Sequence, residues 1–315
     1  MKKWKLIPVF VLIAALLTGC SVGFLQPRAT PTPEPTPTPE PTPTPEPTPD
    51  PRTPWQIRFA EHFTDEVVIT ENSYTSPEVS IHIETKEFGE GSQKSVYHVA
   101  DIYVASIDNF RTATANDELK YFSTQDVMEI DAASHAILSI SGDFYAYQPT
   151  GLLMRNGVLY RNDLTGCDVC VLYADGELAT YTKGSFDNQD ILDREPLQIW
   201  NFGPALLDEE GHVKSRYQVL EAVSYPNPRS AVGYYEPGHY CFVVVDGRQS
   251  GYSYGMRIER FAQVFADLGC KAAYNLDGGQ SSIMTFQQSI FNHPYLGGRE
   301  SGDVLLIREI GEEEG

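Results

Sequence analysis

From residue 55 onward the apolar positions fall in short runs separated by turn residues, with two longer stretches at helical spacing. Val79 to Glu87 alternates, with Val79, Ile81 and Ile83 on one face, as a half-buried strand does. His98 to Ser106 reads likewise. Thr124 to Ala133 predicts a helix capped by Ser123 or Thr124, leading into an apolar strand at Ala136 to Ser141. Asn156-Gly157 and Asp175-Gly176 each stand between β-type runs, the strongest short signal for a hairpin. Ala231 to Asp246 predicts a further antiparallel pair, turned at Glu236-Pro237-Gly238. Arg257 to Leu268 carries apolar residues at 258, 261, 264, 265 and 268, a helical stripe closed by Gly269. Ala272 to Leu276, Ser282 to Phe286 and Val304 to Arg308 complete the strands. The pattern predicts an α+β fold over residues 55–315, a single domain with a mixed, largely antiparallel β-sheet core and few helices.

The preceding residues follow other rules. Lys2, Lys3 and Lys5 form a positive head, and Leu6 to Leu17 an apolar run too short to span a bilayer comfortably. The run ends in Leu17-Thr18-Gly19-Cys20, which resembles the bacterial lipobox, where cleavage before the cysteine leaves Cys20 lipidated. Residues 1–20 thus read as a lipoprotein signal peptide, with a plain secretory leader or short anchor as the alternative. Residues 21–54 form a Pro/Thr/Glu-rich linker. Thirteen of the 22 prolines stand between 27 and 54, in a Glu-Pro-Thr-Pro-Thr-Pro repeat phased by Glu34, Glu40 and Glu46. Proline fixes φ and removes donors, so an extended polyproline stalk of about 87 Å, at roughly 3.1 Å per residue, is expected. The chain is expected to face outward, anchored to a bacterial cell membrane.

Composition narrows the partners. Forty-three acidic residues against 23 basic give a net charge of −20, and losing three lysines with the leader makes it more negative. Nucleic acid is not an expected partner, because neutralising phosphates needs clustered Lys and Arg. Adsorption to anionic lipid through a basic patch is disfavoured for the same reason. Eighteen Tyr, 15 Phe and 3 Trp supply more burial than a disordered chain has. Cys167-Asp-Val-Cys170 has metal or redox spacing, but no second Cys pair or His pair completes a zinc set. A disulfide between Cys167 and Cys170 is the alternative, while Cys241 and Cys270 sit in apolar runs as core residues. None of the seven histidines is spaced as a metal ligand. Charge says nothing of oligomeric state beyond excluding it as the driving force.

Chemistry concentrates where apolar runs end. Ala272-Ala273-Tyr274-Asn275-Leu276-Asp277-Gly278-Gly279-Gln280-Ser281-Ser282 takes a buried strand into an acid, two glycines and two serines. Amides at Gly278 and Gly279 suit an anion-binding nest, with the hydroxyls of Ser281 and Ser282 adding donors. An ordinary Asp-Gly-Gly turn is the plainer reading. Arg229 opens another strand after a Pro-rich loop, Asp246-Gly247-Arg248 closes its partner, and Ser141-Gly142-Asp143 and Asn201-Phe202-Gly203 close two more. Plainer roles exist here also: Arg229 and Arg248 as partners of Asp246, and Asp143 as a turn residue capping its own backbone.

Taken together, Ser-Gly-Asp-Phe-Tyr (141–145), Phe-Gly-Pro-Ala-Leu (202–206), Pro-Arg-Ser-Ala-Val-Gly (228–233), Val-Asp-Gly-Arg (245–248) and Asn-Leu-Asp-Gly-Gly-Gln-Ser-Ser (275–282) resemble the phosphodiester glycosidase family, in its motif order, over roughly residues 80–310. Ser141 stands where the family commonly has Asn, and Gln280 where it commonly has a third Gly. The resemblance implies hydrolysis of a sugar phosphodiester at the anomeric carbon, on a wall polymer or exopolysaccharide. A phosphomonoester leaves as a stable anion, so the site needs positive charge on phosphate more than a strong general acid. Asp277 is then the first candidate for nucleophile or base, with Asp143 as second carboxylate. Arg229 and Arg248 form a phosphate clamp, completed by Gly278, Gly279 and Ser281, while Asn275 and Asp246 orient hydroxyls or the arginines. No cofactor is required on this reading. Ca²⁺ on Asp143, Asp246 and Asp277 would instead make a metal-dependent phosphodiesterase, and a lapsed site a non-catalytic glycan-binding lipoprotein.

Overall fold

The computed structural model describes residues 50–219 and 221–311; Cys20 and the linker up to residue 49 lie outside them. The described part belongs to a compact unit beginning at Asp50. Its helix Pro54–Arg58 opens with a capping box, Thr53 and Gln56 exchanging backbone bonds. Three sheets follow, and every pairing between their strands is antiparallel. The largest has seven strands, in the order Val68–Ile69, Ser73–Thr75, Val79–Phe88, Ser95–Val104, His239–Val245, Arg229–Glu236 and Ala272–Asn275. Two five-stranded sheets lie against it. One contains Leu152–Arg155, Val169–Tyr173 and Pro196–Trp200, the other Leu138–Ser141, Met284–Phe286 and Asp303–Ile307.

The strand His239–Val245 is apolar from Tyr240 onward, where both of its faces are buried. Tyr240, Phe242 and Val244 enter the central core with Ile81, Ile102, Trp200 and Leu305. Cys241, Val243 and Val245 enter a second core with the helix Ile258–Asp267. That helix buries Ile258, Phe261, Val264 and Phe265, the stripe expected from its spacing, and each such side chain is worth about 1.5–3 kcal/mol. The Asn156-Gly157 and Asp175-Gly176 hairpins form as predicted, with positive φ at Asn156, Gly157 and Gly176. One boundary moves: the helix expected over 124–133 runs Val127–Ser134, capped by Asp126, whose carboxylate accepts from the Met128 amide at 2.8 Å. Asp outcompetes the upstream hydroxyls because only its side chain sits at the first turn's orphan donors. Cys167, Cys170, Cys241 and Cys270 are all free thiols.

Asp131, in the last turns of this helix, is buried against the sheet and takes hydrogen bonds from Ser139 (3.0 Å) and Thr285. Its other carboxyl oxygen has no partner among the described residues. Burial pushes its pKa up to about 6, although the two hydroxyls pull the other way. The folded chain therefore holds a proton that the unfolded chain, titrating near 4, has released. The resulting penalty is absent below about pH 4, grows through pH 4–6, and stays at about 2–3 kcal/mol above that. Relative to Asp131→Asn, the parent chain should gain thermal stability as pH falls from 7 to 4.5; parallel melting curves against pH would refute this.

Candidate active site

Antiparallel pairing brings three strand ends to one edge. Arg229 opens its strand opposite Val245, and Asn275 closes its own opposite Ala231. The loops leaving Val245 and Asn275 carry Arg248 and Asp277-Gly278-Gly279 to the same place. The neighbouring sheet delivers Ser141-Gly142, whose Gly142 carbonyl accepts the Asp277 N–H at 3.0 Å. Arg229, Arg248 and the segment from Asn275 to Gly279 line a cleft of about 340 Å³ with Phe202, Asn227, Gln280 and Arg299, a size in the range of small-ligand pockets. Two glycines make the closeness possible. A Cβ at Gly279, where φ is +66°, would stand 3.2 Å from the Arg248 guanidinium, and one at Gly142 would overlap the Asp303 carboxylate.

The cleft holds three guanidinium groups and, among its described lining residues, a single carboxylate. Asp277 has a side chain only 14% exposed and pairs with Arg299 at 2.6 Å. Burial raises its pKa from the ordinary aspartate value, while Ser281, Arg299 and the Gly278 amide oppose the shift. Arg229 is buried, and it donates to the carbonyls of Met256 (3.1 Å), Tyr225 (2.9 Å) and Val223. No carboxylate among the described residues pairs with it or with Arg248. Burial lowers the Arg229 pKa to about 10 despite Glu259, with Arg248 adding to the fall, so at neutral pH it stays charged. Arg248 hangs from the Asn227 side chain at 2.7 and 3.0 Å and lies over the Tyr295 ring. Asn275 donates to the Gly203 carbonyl at 2.8 Å, leaving its buried side-chain oxygen without a partner among the described residues. Two cations held by neutral groups, with their charge uncompensated, make a receptor for an anion.

Several expected members stand elsewhere. Asp143 does not line the cleft. Its side chain is fully buried, paired with Arg155 at 3.0 Å and accepting from the amides of Tyr145 and Asn201. Asp246 orients neither arginine; its carboxylate takes His98 at 3.2 Å, Tyr252 and Asn292 at 2.8 Å, and the His293 amide. The amides expected to form an anion nest are already engaged: Gly278 donates to the Asp277 carboxylate and Gly279 to the Pro228 carbonyl. The loop turns back on the strand that carries Arg229, and this uses both donors internally. Ser281 receives Arg299, and the Ser282 hydroxyl is buried without a partner among the described residues. Asp143, Asp246 and Asp277 do not form one ligand set, and among the described residues no group of three or more His, Cys, Asp or Glu is placed to hold a metal ion.

Arg299 and Arg155 are site residues that the sequence reading missed. Arg299 follows Gly297-Gly298 in the loop ahead of the strand Asp303–Ile307, with the same Gly-then-charge signature that marked the strand ends. Arg155 sits in the last position before the Asn156-Gly157 turn, where a charge ordinarily reads as solvated. Instead it lies directly behind the cleft between Asp143 and Asp303, 2.8 Å from the latter.

A sheet-end cleft with two arginines that no described carboxylate pairs, and a single carboxylate among its described lining residues, suits an anionic ligand. The sequence model of the phosphodiester glycosidases matches residues 134–308, and the chain belongs to that family, a family of glycosidase-type hydrolases. The fold is similar to the catalytic domain of zebrafish N-acetylglucosamine-1-phosphodiester alpha-N-acetylglucosaminidase auto-inhibited by its pro-peptide. That match has a TM-score of 0.60 and 18% identity, over 78% of this chain and 88% of the other. A hypothetical protein from Synechocystis matches with a TM-score of 0.50 and 12% identity, over 74% of this chain and 63% of that one. No curated protein matches in sequence.

Proposed function

We propose that the chain is a lipid-anchored, extracytoplasmic phosphodiester glycosidase that breaks the bond between an anomeric carbon and a phosphodiester oxygen, on a wall polymer or exopolysaccharide. The observation that carries the reading is that Asp277, the one carboxylate among the described lining residues, shares a cleft with Arg229, Arg248 and Arg299. Arg229 and Arg248 grip the phosphate oxygens, and preorganised charge of this kind is usually the largest catalytic contribution. Asp277 attacks the anomeric carbon to give a glycosyl ester that water then hydrolyses, or takes a proton from a water that attacks directly. The leaving group departs as a phosphomonoester anion, so no second carboxyl has to protonate it. This agrees with the placement of the other candidate acid, Asp143, outside the cleft and against Arg155. The lipobox-like sequence ending at Cys20 and the proline-rich sequence after it support action on material outside the cell membrane.

The test is incubation of the full chain with an α-N-acetylglucosamine phosphodiester, followed by phosphorus and proton NMR with and without chelator. Free sugar and a phosphomonoester, formed equally in chelator, are expected. A phosphorylated sugar lost on chelation would overturn the reading in favour of a metal-dependent phosphodiesterase. Saturable binding of a phosphoglycan without turnover would leave a binding protein.

A further inference from the structure

A line of aromatic rings leads out of the cleft. Phe202, on the cleft wall, lies 6.2 Å from Phe144; Phe144 stacks on Tyr147 at 4.8 Å. Tyr147 meets Phe122 at 5.6 Å, and Phe122 meets Tyr121 at 4.1 Å. The inner end is tied to the chemistry, since the Arg299 guanidinium that holds Asp277 lies 5.8 Å over the Phe144 ring. The outer end faces water: Phe122 is 64% exposed, Tyr121 47% and Tyr147 40%. Core packing does not account for a phenylalanine this open, and contiguous exposed apolar surface marks a binding site.

The backbone is set to present these rings. Phe122 has φ +59°, a conformation that a bulky side chain adopts only under constraint. The Phe122 amide bonds to the Ala146 carbonyl at 2.9 Å, which fixes the loop beside Tyr147. Strain of this kind persists where the surroundings hold it, and it gathers at functional sites. A second cavity of about 610 Å³ shares Phe202 with the cleft. Phe144, Tyr217, Gln148 and Lys183 line it, apolar faces with a few polar groups among them.

Resting on the glycosidase reading of the cleft, we infer that this strip is a sugar-binding platform for the glycan that continues from the scissile phosphodiester. The chain would then act within or along an extended phosphoglycan rather than on an isolated sugar phosphate. The occupant follows from continuity: the rings begin at the wall of a site for a sugar phosphate. Flat aromatic faces suit the apolar C–H faces of sugar rings, while Gln148 and Lys183 offer partners to hydroxyls.

The experiment uses the full chain carrying Asp277→Asn, applied to arrayed oligosaccharides of one to eight sugar units, neutral and phosphorylated. Binding should strengthen at least tenfold between one unit and four or more. The added substitutions Phe122→Ala and Tyr147→Ala, at exposed positions and checked by unchanged melting, should erase that gain. No binding to any glycan, or the same length dependence in both proteins, would overturn the proposal. So would a self-association that the double substitution abolishes, which would give the strip to a second copy. Turnover of a short diester by the unsubstituted chain, with affinity flat in length, would overturn the platform and leave the cleft reading standing. Length-dependent binding without turnover would do the reverse.

Discussion

Replacing Asp277 by Asn is expected to reduce hydrolysis of a sugar phosphodiester at least a thousandfold while leaving the fold intact. The size follows from its solitude. No other described residue lining the cleft carries a carboxylate, so nothing can take over the role of nucleophile or base, worth about 10²–10⁴ as acid–base catalysis alone. The amide keeps the shape, and its oxygen can still accept from Gly278, now 2.9 Å away. Losing the ion pair with Arg299 should cost little stability, because that guanidinium is 38% exposed and such pairs contribute about 0–1 kcal/mol. Initial rates and thermal melts of the two proteins separate these effects. Activity within tenfold of the parent, with an unchanged melt, would remove Asp277 from the mechanism.

Much of this site was legible because antiparallel strands carry the ends of their sequences to predictable places. Arg229 at the start of one strand and Asp246-Gly247-Arg248 after its partner must meet at one edge once the Glu236-Pro237-Gly238 turn is recognised, and they do. Asn275 and Asp277 join them because their strand pairs on the other side of Arg229–Glu236. What was not legible depends on which way a side chain points after the strand ends. Asp143 and Asp246 stand at strand ends as Asp277 does, yet each turns inward, to Arg155 and to His98 with Asn292. Arg155 reaches Asp143 from the next strand, and Asn292 and His98 reach Asp246 from 46 and 148 residues away, so no local pattern contains the partners that decide it. The Gly278-Gly279 turn shows the same limit. Its composition is right for an anion nest, but the Pro228 carbonyl and the Asp277 carboxylate claim the two amides first.

Arg155→Met is expected to destabilise the chain by about 3–5 kcal/mol, lowering its melting temperature by on the order of 10 °C. The guanidinium is almost wholly buried and bridges two carboxylates, Asp143 at 3.0 Å and Asp303 at 2.8 Å, while donating to the Met154 carbonyl at 3.0 Å. Burial already pushes the Asp303 carboxyl upward against the pull of Arg155, with Asp143 adding to the rise. Take the cation away and both carboxyls are left in a dry site with nothing to offset their charge. The Asp303 carboxyl must then rise further, so the variant binds a proton on folding that its unfolded state has released. Its deficit should therefore be smallest in acid and widen as pH rises from 5 toward 8. Adding Asp143→Asn and Asp303→Asn to Arg155→Met should restore most of the loss, since removing a whole buried charge cluster costs far less than breaking it. Activity should fall as well. Asp143 anchors the turn after Ser141-Gly142, and the Gly142 carbonyl is what receives the Asp277 N–H. Denaturant or thermal unfolding of the single and triple variants across this pH range decides the matter. A single variant as stable as the parent at pH 8 would mean that the three buried charges do not act as one unit behind the cleft.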